Sequence, residues 1–383
     1  MNATLRRYWP TALLALALAT IVAMNIRPYG WNITAVFHMD HVIHDAHAMP
    51  KDFVVLGVPA YDGAQYYQIA RNIPIVFQPS KWNELRNTSP VSYAYQRFLL
   101  PLAAYMLSLG QEETLPWAFV LINIAALLLT ATVVLRWNKG HPLTALALAL
   151  SPTAMVAIHF TLAEPLTLLL ITVSLLRIDK TKKIDAVTIA LLSLLVWARE
   201  VNILFILFLI GYFLFKKHWR HAIVLLIPVG SFLLLHSLIY AIFGDIPFLI
   251  STGAHQFPGQ AAYDVLVGHR GYDRYTLSSV ALLLGFVLPA LLWTGREILK
   301  TRSLDLLPFG AFAFLCLMLI MPDYIWGSIT SIGRVITPVY PLTLLALCKH
   351  RTFSAKLLTL SILLLGIGTG IGLMLQIHPF TLA

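Results

Sequence analysis

Charged side chains are scarce in this chain: Asp, Glu, Lys and Arg make up 11% of its 383 residues, whereas 58% are hydrophobic. Soluble domains carry about 25% charged residues, because surface scaling obliges them to expose polar groups. The scarcity excludes an ordinary soluble enzyme, a disordered protein and a coiled coil. Lipid must therefore be the solvent for much of the surface.

Cysteine is also rare. Cys316 and Cys348 are the only two, and both lie in apolar runs, so no disulfide framework is indicated. Acidic residues number 17 against 27 lysines and arginines, which leaves a formal net charge of +10. Most basic residues lie in short loops between apolar runs, so the excess reflects membrane topology and requires no nucleic-acid partner.

Long apolar runs are the main feature that is present. A helix needs about 20 apolar residues to cross a hydrocarbon core of about 30 Å, and these runs do not alternate as barrel strands do. We therefore predict an all-α polytopic membrane protein, a single integral membrane domain over 1–383 with about 11 transmembrane helices. The eleven candidate segments are 8–26, 115–135, 142–160, 162–178, 185–198, 201–215, 221–243, 277–294, 306–322, 335–348 and 356–377.

The distribution of lysine and arginine predicts the orientation. If residues 98–109 form a re-entrant or interfacial helix, 17 of the 27 basic residues lie on the cytoplasmic side; if they cross, only 6 do. The positive-inside rule favours the first arrangement. It puts the N-terminus in the cytoplasm and the long polar stretches outside, at 27–114, which should carry juxtamembrane helices, and at 244–276.

Polar residues at the outer helix ends are candidates for function, because ionisable groups at membrane level are costly. In the first outer stretch, Asp62 begins a predicted amphipathic helix after a turn marked by its Asp-Gly pair, with Tyr61 and Gln65 beside it. Its carboxylate would face a substrate held at the membrane. Capping of the helix explains an Asp at this position equally well.

The other candidates are arginines, acids and histidines. An arginine at headgroup level can bind a phosphate through forked hydrogen bonds, with snorkelling, capping and local ion pairing as the alternatives. The set is Arg97, His159, Glu164, Arg199, Glu200 and Arg334, joined by His38 and Asp40 from the first outer stretch.

Four motifs within roughly residues 1–245 point to one family. They are YDGAQYYQIA, YQRFLLPLAAYMLSLG, LAEPLTLLL and WAREVNILFILF, in that order. The ordered set resembles the bacterial GT-C-type polytopic membrane glycosyltransferases, in particular the subgroup tied to cell-surface glycopolymer formation, and more distantly the GPI-type mannosyltransferases.

The resemblance implies a GT-C-like bundle in the bacterial inner (cytoplasmic) membrane. It also implies transfer of a sugar from a polyprenyl-phosphate donor to a glycan or lipid acceptor on the outer face. The essential acid of the family corresponds to Asp62, and its Arg-Glu-Thr motif to Arg199-Glu200-Val201, where the hydroxyl is missing. Asp62 would then be the catalytic base. Arginines would stabilise the leaving phosphate: Arg97, Arg199, Arg334, and Arg270 or Arg274.

No cofactor is required, since such a donor is already activated. The one metal-like feature is a stretch in which imidazoles and carboxylates have helical spacing, which suits a divalent metal; a solvated interfacial helix is the simpler interpretation. Its residues are His38, Asp40, His41, His44, Asp45 and His47. The aromatic and charged residues between His255 and Tyr275 are interpreted as an acceptor-sugar site or as a plain loop.

Two other classes of protein remain open. A transporter or flippase of a lipid-linked glycan would place its polar residues at the membrane midplane on broken helices, whereas here they gather at the outer face. A noncatalytic scaffold of an envelope complex would leave the ordered motifs unexplained.

Overall fold

The protein is all-helical in the computed structural model. The structure describes residues 3–46, 49–56, 61–88, 92–137, 142–245, 260–267, 274–321, 323–326, 329–335, 337–350 and 352–377. Over these residues the only β pairing outside helices is an isolated parallel bridge between Met39 and Val55. The first half of the chain forms α1 (Ala3–Ile26), α2 (His41–Ala46), α3 (Asp62–Val76), α4 (Trp82–Thr88), α5 (Leu99–Leu107), α6 (Leu115–Arg136), α7 (Pro142–Ala149), α8 (Pro152–Phe160), α9 (Glu164–Thr181) and α10 (Ala186–Ala198).

The second half continues in the same way. It forms α11 (Ile203–Phe215), α12 (Trp219–Val224), α13 (Leu226–Phe243), α14 (Gln260–Val267), α15 (Arg274–Leu282), α16 (Leu288–Thr301), α17 (Leu306–Leu319), α18 (Asp323–Trp326), α19 (Ile329–Val335), α20 (Val339–His350) and α21 (Phe353–Ile377). A π-helical turn over Leu283–Val287 joins α15 to α16.

Within the part of the chain that the structure describes, five helical stretches are long and apolar enough to cross a membrane. They are Trp9–Tyr29, Leu115–Arg136, Trp219–Phe243, Leu277–Thr301 and Phe353–Leu375, and the pair α7 and α8 makes a sixth if it is one span bent by 43°. This composition indicates an all-α membrane protein that crosses the bilayer several times.

The prediction of eleven spans is wrong by this measure. Several predicted segments fold as helices that are too short to cross alone: α10 has 13 residues, α17 has 14 and α20 has 12. At about 1.5 Å per residue, such helices reach only about 18–21 Å. Apolar runs in the sequence therefore overestimate the number of complete crossings, because a buried core helix is as apolar as a spanning one.

The segment predicted as a single run over 142–160 is broken in the middle. Ser151 is extended and Pro152 begins α8, since proline is suited to the first turn of a helix. Opposite this break, α21 approaches very closely, because a Cβ added at Gly366 would lie 1.6 Å from the carbonyl oxygen of Leu150. Only glycine allows this contact between the two backbones.

The described residues of 27–114 fold largely as short helices packed on the bundle. α3 is more buried than an amphipathic surface helix, since Ala64, Tyr66 and Tyr67 are all fully covered. A Cβ at Gly63 would lie 2.2 Å from the carbonyl oxygen of Phe160. The start of α3 is therefore held against the end of α8, which positions Asp62 inside the protein.

Candidate functional site

Six charged side chains from separate parts of the chain meet at one end of the bundle, and we refer to them as the charged cluster. Three are carboxylates and three are guanidinium groups, and ion pairs connect them all. The charged cluster consists of Asp62 at the start of α3, Arg97 at the end of the 3-10 turn Ser92–Arg97, Glu164 at the start of α9, Arg199 and Glu200 between α10 and α11, and Arg334 in α19.

Two arginines converge on a single oxygen of Asp62. Nη1 of Arg97 donates to Oδ2, and Nη2 of Arg334 lies 2.7 Å from the same atom. Burial by itself would raise the pKa of the Asp62 carboxyl, but Arg97 and Arg334 together hold this pKa well below its usual range. Asp62 is therefore an anion, and its side chain is 21% exposed, against 4% for Arg97 and 11% for Arg334.

Arg97 is fixed by a second carboxylate on its other side. Its Nε and Nη2 atoms each lie 3.1 Å from an oxygen of Glu200, which is the forked geometry of a strong arginine pair. Nη2 also donates to the hydroxyl of Tyr93 at 2.6 Å, and that hydroxyl lies 3.2 Å from Glu200. The guanidinium of Arg97 is thus held in one orientation.

Arg199 and Glu164 form the most deeply buried pair. Nη1 of Arg199 lies 3.0 Å from Oε1 of Glu164, and both side chains are almost completely covered. Arg199 also donates to the backbone carbonyl of Arg334, so it tethers α19 to the break between α10 and α11. Neither oxygen of Glu164 accepts a well-aligned hydrogen bond from the described residues, so charge attraction is what holds it.

Aromatic rings extend the site away from Asp62. The guanidinium of Arg334 lies 4.9 Å from the ring centroid of Tyr61, a cation–π distance. Tyr61 stacks on Phe160 at 4.2 Å, and Phe160 lies 4.5 Å from the ring of His38. His159 completes the row, 4.9 Å from His38. Burial lowers the pKa of His38 to about 4, so its imidazole is neutral at pH 7.

The capping alternative for Asp62 is not the arrangement that the structure has. Tyr61 is the N-cap residue of α3, and Asp62 follows at the first helical position. A carboxylate there still interacts favourably with the helix dipole. Its hydrogen bonds, however, come from Arg97 and Arg334.

Most of the residues predicted for the site are joined by ion pairs or ring contacts. Besides the six charged residues, Tyr61, His38 and His159 join through the row of rings. Asp40 instead caps α2, where Oδ1 accepts a hydrogen bond from the backbone N–H of Ile43 at 2.8 Å. Gln65 is half-buried on α3 and takes part in none of the ion pairs of the charged cluster.

Sequence reasoning did not assign a site role to two tyrosines that contact Arg97. The Tyr66 hydroxyl lies 3.4 Å from Nη1 of Arg97, and Tyr93 is its neighbour on the other side. A signal was available for Tyr66, which follows Asp62 by four residues on α3. Residues four apart share a helical face.

The predicted metal feature and second outer stretch lie partly outside the described residues. Within the described part of the chain, no group of three His, Cys, Asp or Glu side chains could hold a metal ion together. His44 instead pairs with Asp45, its Nδ1 lying 2.9 Å from Oδ1. His47, Arg270 and most of the stretch from His255 to Tyr275 are not among the described residues, and the side chain of Arg274 is not described.

Comparisons with models of protein families, with curated proteins and with solved structures found no match. Two guanidinium groups directed at one partly exposed carboxylate can bind a phosphate and present a base beside it.

Proposed function

We propose that this protein is a membrane glycosyltransferase of the GT-C type. In this proposal it moves a sugar from a polyprenyl-phosphate donor to a glycan or lipid acceptor at the outer face of the bacterial inner membrane. The observation that carries the proposal is the convergence of Arg97 and Arg334 on Asp62, the most exposed carboxylate of the charged cluster. Such transfer needs a base for the acceptor hydroxyl and cations for the leaving phosphate.

Arg334 is the proposed contact for the donor phosphate. It is the more exposed of the two arginines on Asp62, and its Nε and Nη1 atoms have no hydrogen-bond partner among the described residues. A buried N–H group without a hydrogen-bond acceptor is costly, so a phosphate oxygen would be a favourable acceptor for these groups. The planar fork of arginine suits that ligand.

Asp62 is the proposed base. Because it is paired with Arg97 and Arg334, binding of the sugar donor can activate it. While both arginines point at Oδ2, the low pKa makes the carboxylate a poor proton acceptor. A phosphate that engages Arg334 competes with Asp62 for the guanidinium. The pKa of the Asp62 carboxyl then rises, so Asp62 becomes a better proton acceptor once the sugar donor is bound.

The more buried members of the charged cluster act as supports. Glu200 orients Arg97, and the pair of Glu164 and Arg199 holds the backbone of Arg334. Tyr61, His38 and His159 offer rings and neutral imidazoles on which a sugar can stack or to which it can donate. Asp40 and Gln65 stay predictions as substrate-binding residues.

The proposed orientation follows from where the charges lie. α9, α11 and α20 each begin near the charged cluster and end at lysines of short loops, among them Lys182, Lys216 and Lys349. If those loops are cytoplasmic, as the positive-inside rule favours, the charged cluster lies at the outer face and the N-terminus inside.

A transporter of lipid-linked glycans is the second candidate function. The observation that favours it is the break between α10 and α11, where buried Arg199 is extended and buried Glu200 begins a 3-10 turn. Broken helices with charged residues are typical of transporter binding sites.

The test is a transfer assay with the purified full chain in proteoliposomes. A panel of polyprenyl-phosphate sugars is supplied, and release of polyprenyl phosphate is measured with and without added glycan acceptors. Asp62→Asn should fold and lose about 10²–10⁴-fold in rate, as expected for a positioned base. Arg334→Lys should raise the donor KM, because it keeps the charge and loses the fork.

Asp52→Asn is the matched control, since Asp52 is exposed and lies in the same outer stretch. Its rate should equal that of the wild type. Near-normal transfer by folded Asp62→Asn would remove the base from the mechanism. Movement of the donor across the bilayer without sugar release would favour the transporter.

A further inference from the structure

At the end of the bundle opposite the charged cluster there is a cavity of about 410 Å³, which we call the basic pocket. The ends of α9, α11 and α20 and the start of α17 form it. Its charged lining residues are Asp179, Lys182, Lys216, Asp305 and Lys349, and its apolar wall includes Phe213, Leu307, Pro308 and Ala346.

The basic pocket is well separated from the charged cluster. Glu164 begins α9 and Asp179 lies near its end, fifteen residues later, which is about 22 Å along a helix. α20 likewise begins beside Arg334, whose carbonyl accepts from Thr337, and ends at Lys349 in the basic pocket. The two sites therefore lie at opposite ends of the bundle.

Within the basic pocket, two lysines share one carboxylate. Nζ of Lys349 lies 2.6 Å and Nζ of Lys182 lies 2.9 Å from Oδ1 of Asp179. An ammonium group at the end of α20 and another on the residue that follows α9 are thus brought to one point at the cavity. Because Lys182 is 75% exposed and Asp179 only 19%, an anion from outside can reach the lysines.

Aromatic rings mark this end of the bundle as a membrane interface. Nζ of Lys349 lies 5.8 Å from the ring of Trp137, and Nζ of Lys216 lies 5.9 Å from that of Tyr212. Tryptophan and tyrosine collect where hydrocarbon meets headgroups. Basic residues from three helix ends line the cavity at this level: Lys182, Lys216, His218, Lys349 and His350.

We propose that the basic pocket binds the phosphate group of an anionic phospholipid. Lysines at the mouth contact the phosphate, the aromatic residues lie at headgroup depth, and the apolar wall receives the first part of the acyl chains. Basic pockets between the ends of membrane helices bind anionic headgroups in this way. This site does not depend on the proposed glycosyl transfer.

Asp179 gives the proposal a sharp test, because it competes with the phosphate for both lysines. Asp179→Asn frees Lys182 and Lys349, so it should tighten phosphate binding about fivefold while breaking two native ion pairs. A residue with a merely structural role would weaken binding when changed. Lys182→Gln with Lys349→Gln should instead weaken binding about tenfold or more, since each basic residue near an anionic surface contributes measurably.

The experiment titrates the detergent-purified full chain with short-chain phosphatidylglycerol, and in parallel with phosphatidylcholine and with inorganic phosphate. Apparent affinities follow from the rise in melting temperature. The matched control is Arg296→Gln with Lys300→Gln, which removes two exposed basic charges outside the cavity. This control should change the affinity less than about threefold.

Stabilisation by phosphatidylglycerol that is lost in the lysine pair and enhanced in Asp179→Asn supports the site. Equal stabilisation by inorganic phosphate, with the same response to the variants, retains the phosphate site and assigns it a soluble ligand. Equal losses in the lysine pair and the control, or preference for phosphatidylcholine, overturn the proposal.

Discussion

Arg97 lies between two carboxylates, those of Asp62 and Glu200. Both anions therefore rely on its positive charge for compensation. Arg97 binds Asp62 through Nη1 and Glu200 through Nε and Nη2. Removing one member of a buried ion pair is far more costly than removing both, because the remaining charge stays buried without a partner. Arg97 and Glu200 should therefore be strongly coupled.

We predict that Arg97→Gln destabilises the protein by about 3–5 kcal/mol, the usual cost of breaking a buried pair. The double variant Arg97→Gln with Glu200→Gln should lose less than the sum of the two single variants. Melting temperatures in detergent give the double-mutant cycle.

The control for this cycle is the less buried pair of Arg71 and Glu112, whose side chains are 28% and 46% exposed and whose Nε and Oε1 atoms lie 2.6 Å apart. Arg71→Gln should cost less than about 1 kcal/mol, because solvent screens surface pairs. Additive losses at Arg97 and Glu200 would show that the two residues do not interact energetically.

His38 gives the folded state a dependence on pH. Its pKa is about 4 in the folded protein and about 6.5 when exposed, so between these values the unfolded chain binds more protons than the folded one. Stability contributed by the neutral imidazole is full above pH 6.5 and is lost as the pH falls towards 4. We predict a fall in melting temperature between pH 7 and pH 5 that His38→Asn reduces.

Asparagine is the appropriate replacement because His38 has a φ of +50°, a left-handed conformation that Asn tolerates. His41→Asn is the control, since His41 is exposed on the neighbouring helix α2. An unchanged pH dependence in His38→Asn would mean that another group is responsible.

The residues of the charged cluster could be selected from the sequence, but their pairing could not. Ionisable groups at helix ends are few in so apolar a chain, which is why all six stood out. Asp62 and Arg334, however, are 272 residues apart, and Arg97 and Glu200 are 103 apart. Only the packing of α3, α19 and the break after α10 brings them into contact.

At the scale of single helices, the contact between α21 and the α7–α8 break is the tightest described at any glycine. The carbonyl oxygen of Leu150 occupies the place of a Cβ at Gly366, whereas Gly368 has nothing within 4 Å of that position. Gly366 thus has no room for a side chain, whereas Gly368, two residues further along the same helix, has room for one.

We predict that Gly366→Ala lowers the melting temperature, because α21 must move away from α7 and overpacking costs about 1–3 kcal/mol. Gly368→Ala should leave it unchanged or slightly raised, since alanine favours helix over glycine by about 1 kcal/mol. Equal effects of the two substitutions would contradict the close approach.

Helix positions were predictable from the sequence to within a few residues, whereas helix roles were not. The segment 185–198 corresponds to α10 and 306–322 to α17, because apolar periodicity and polar loops locate helices well. The break at Ser151 was missed, although Pro152 is its signal. Whether a short apolar helix crosses the membrane or is buried inside the bundle depends on the helices around it. The sequence of that helix alone does not reveal them.

For the whole molecule, the orientation can be tested directly. We predict that Ser80→Cys reacts with a membrane-impermeant maleimide from outside and that Thr181→Cys reacts only from the cytoplasm. Both positions are exposed. Cys316 and Cys348 are first replaced by serine to give a silent background. Labelling of both positions from the same side would refute the orientation.

α20 is central to the bundle, and its shortness has a geometric consequence for the helices around it. All residues from Val339 to Cys348 are buried, and the helix has 12 residues, or about 18 Å. An undisturbed hydrocarbon layer is about 30 Å thick. α20 is therefore about 12 Å too short to join the two headgroup levels by itself, and longer neighbours such as α9, with 18 residues or about 27 Å, must cover the remaining distance. The middle of the bundle is thus built from a shorter helix than the layer around it.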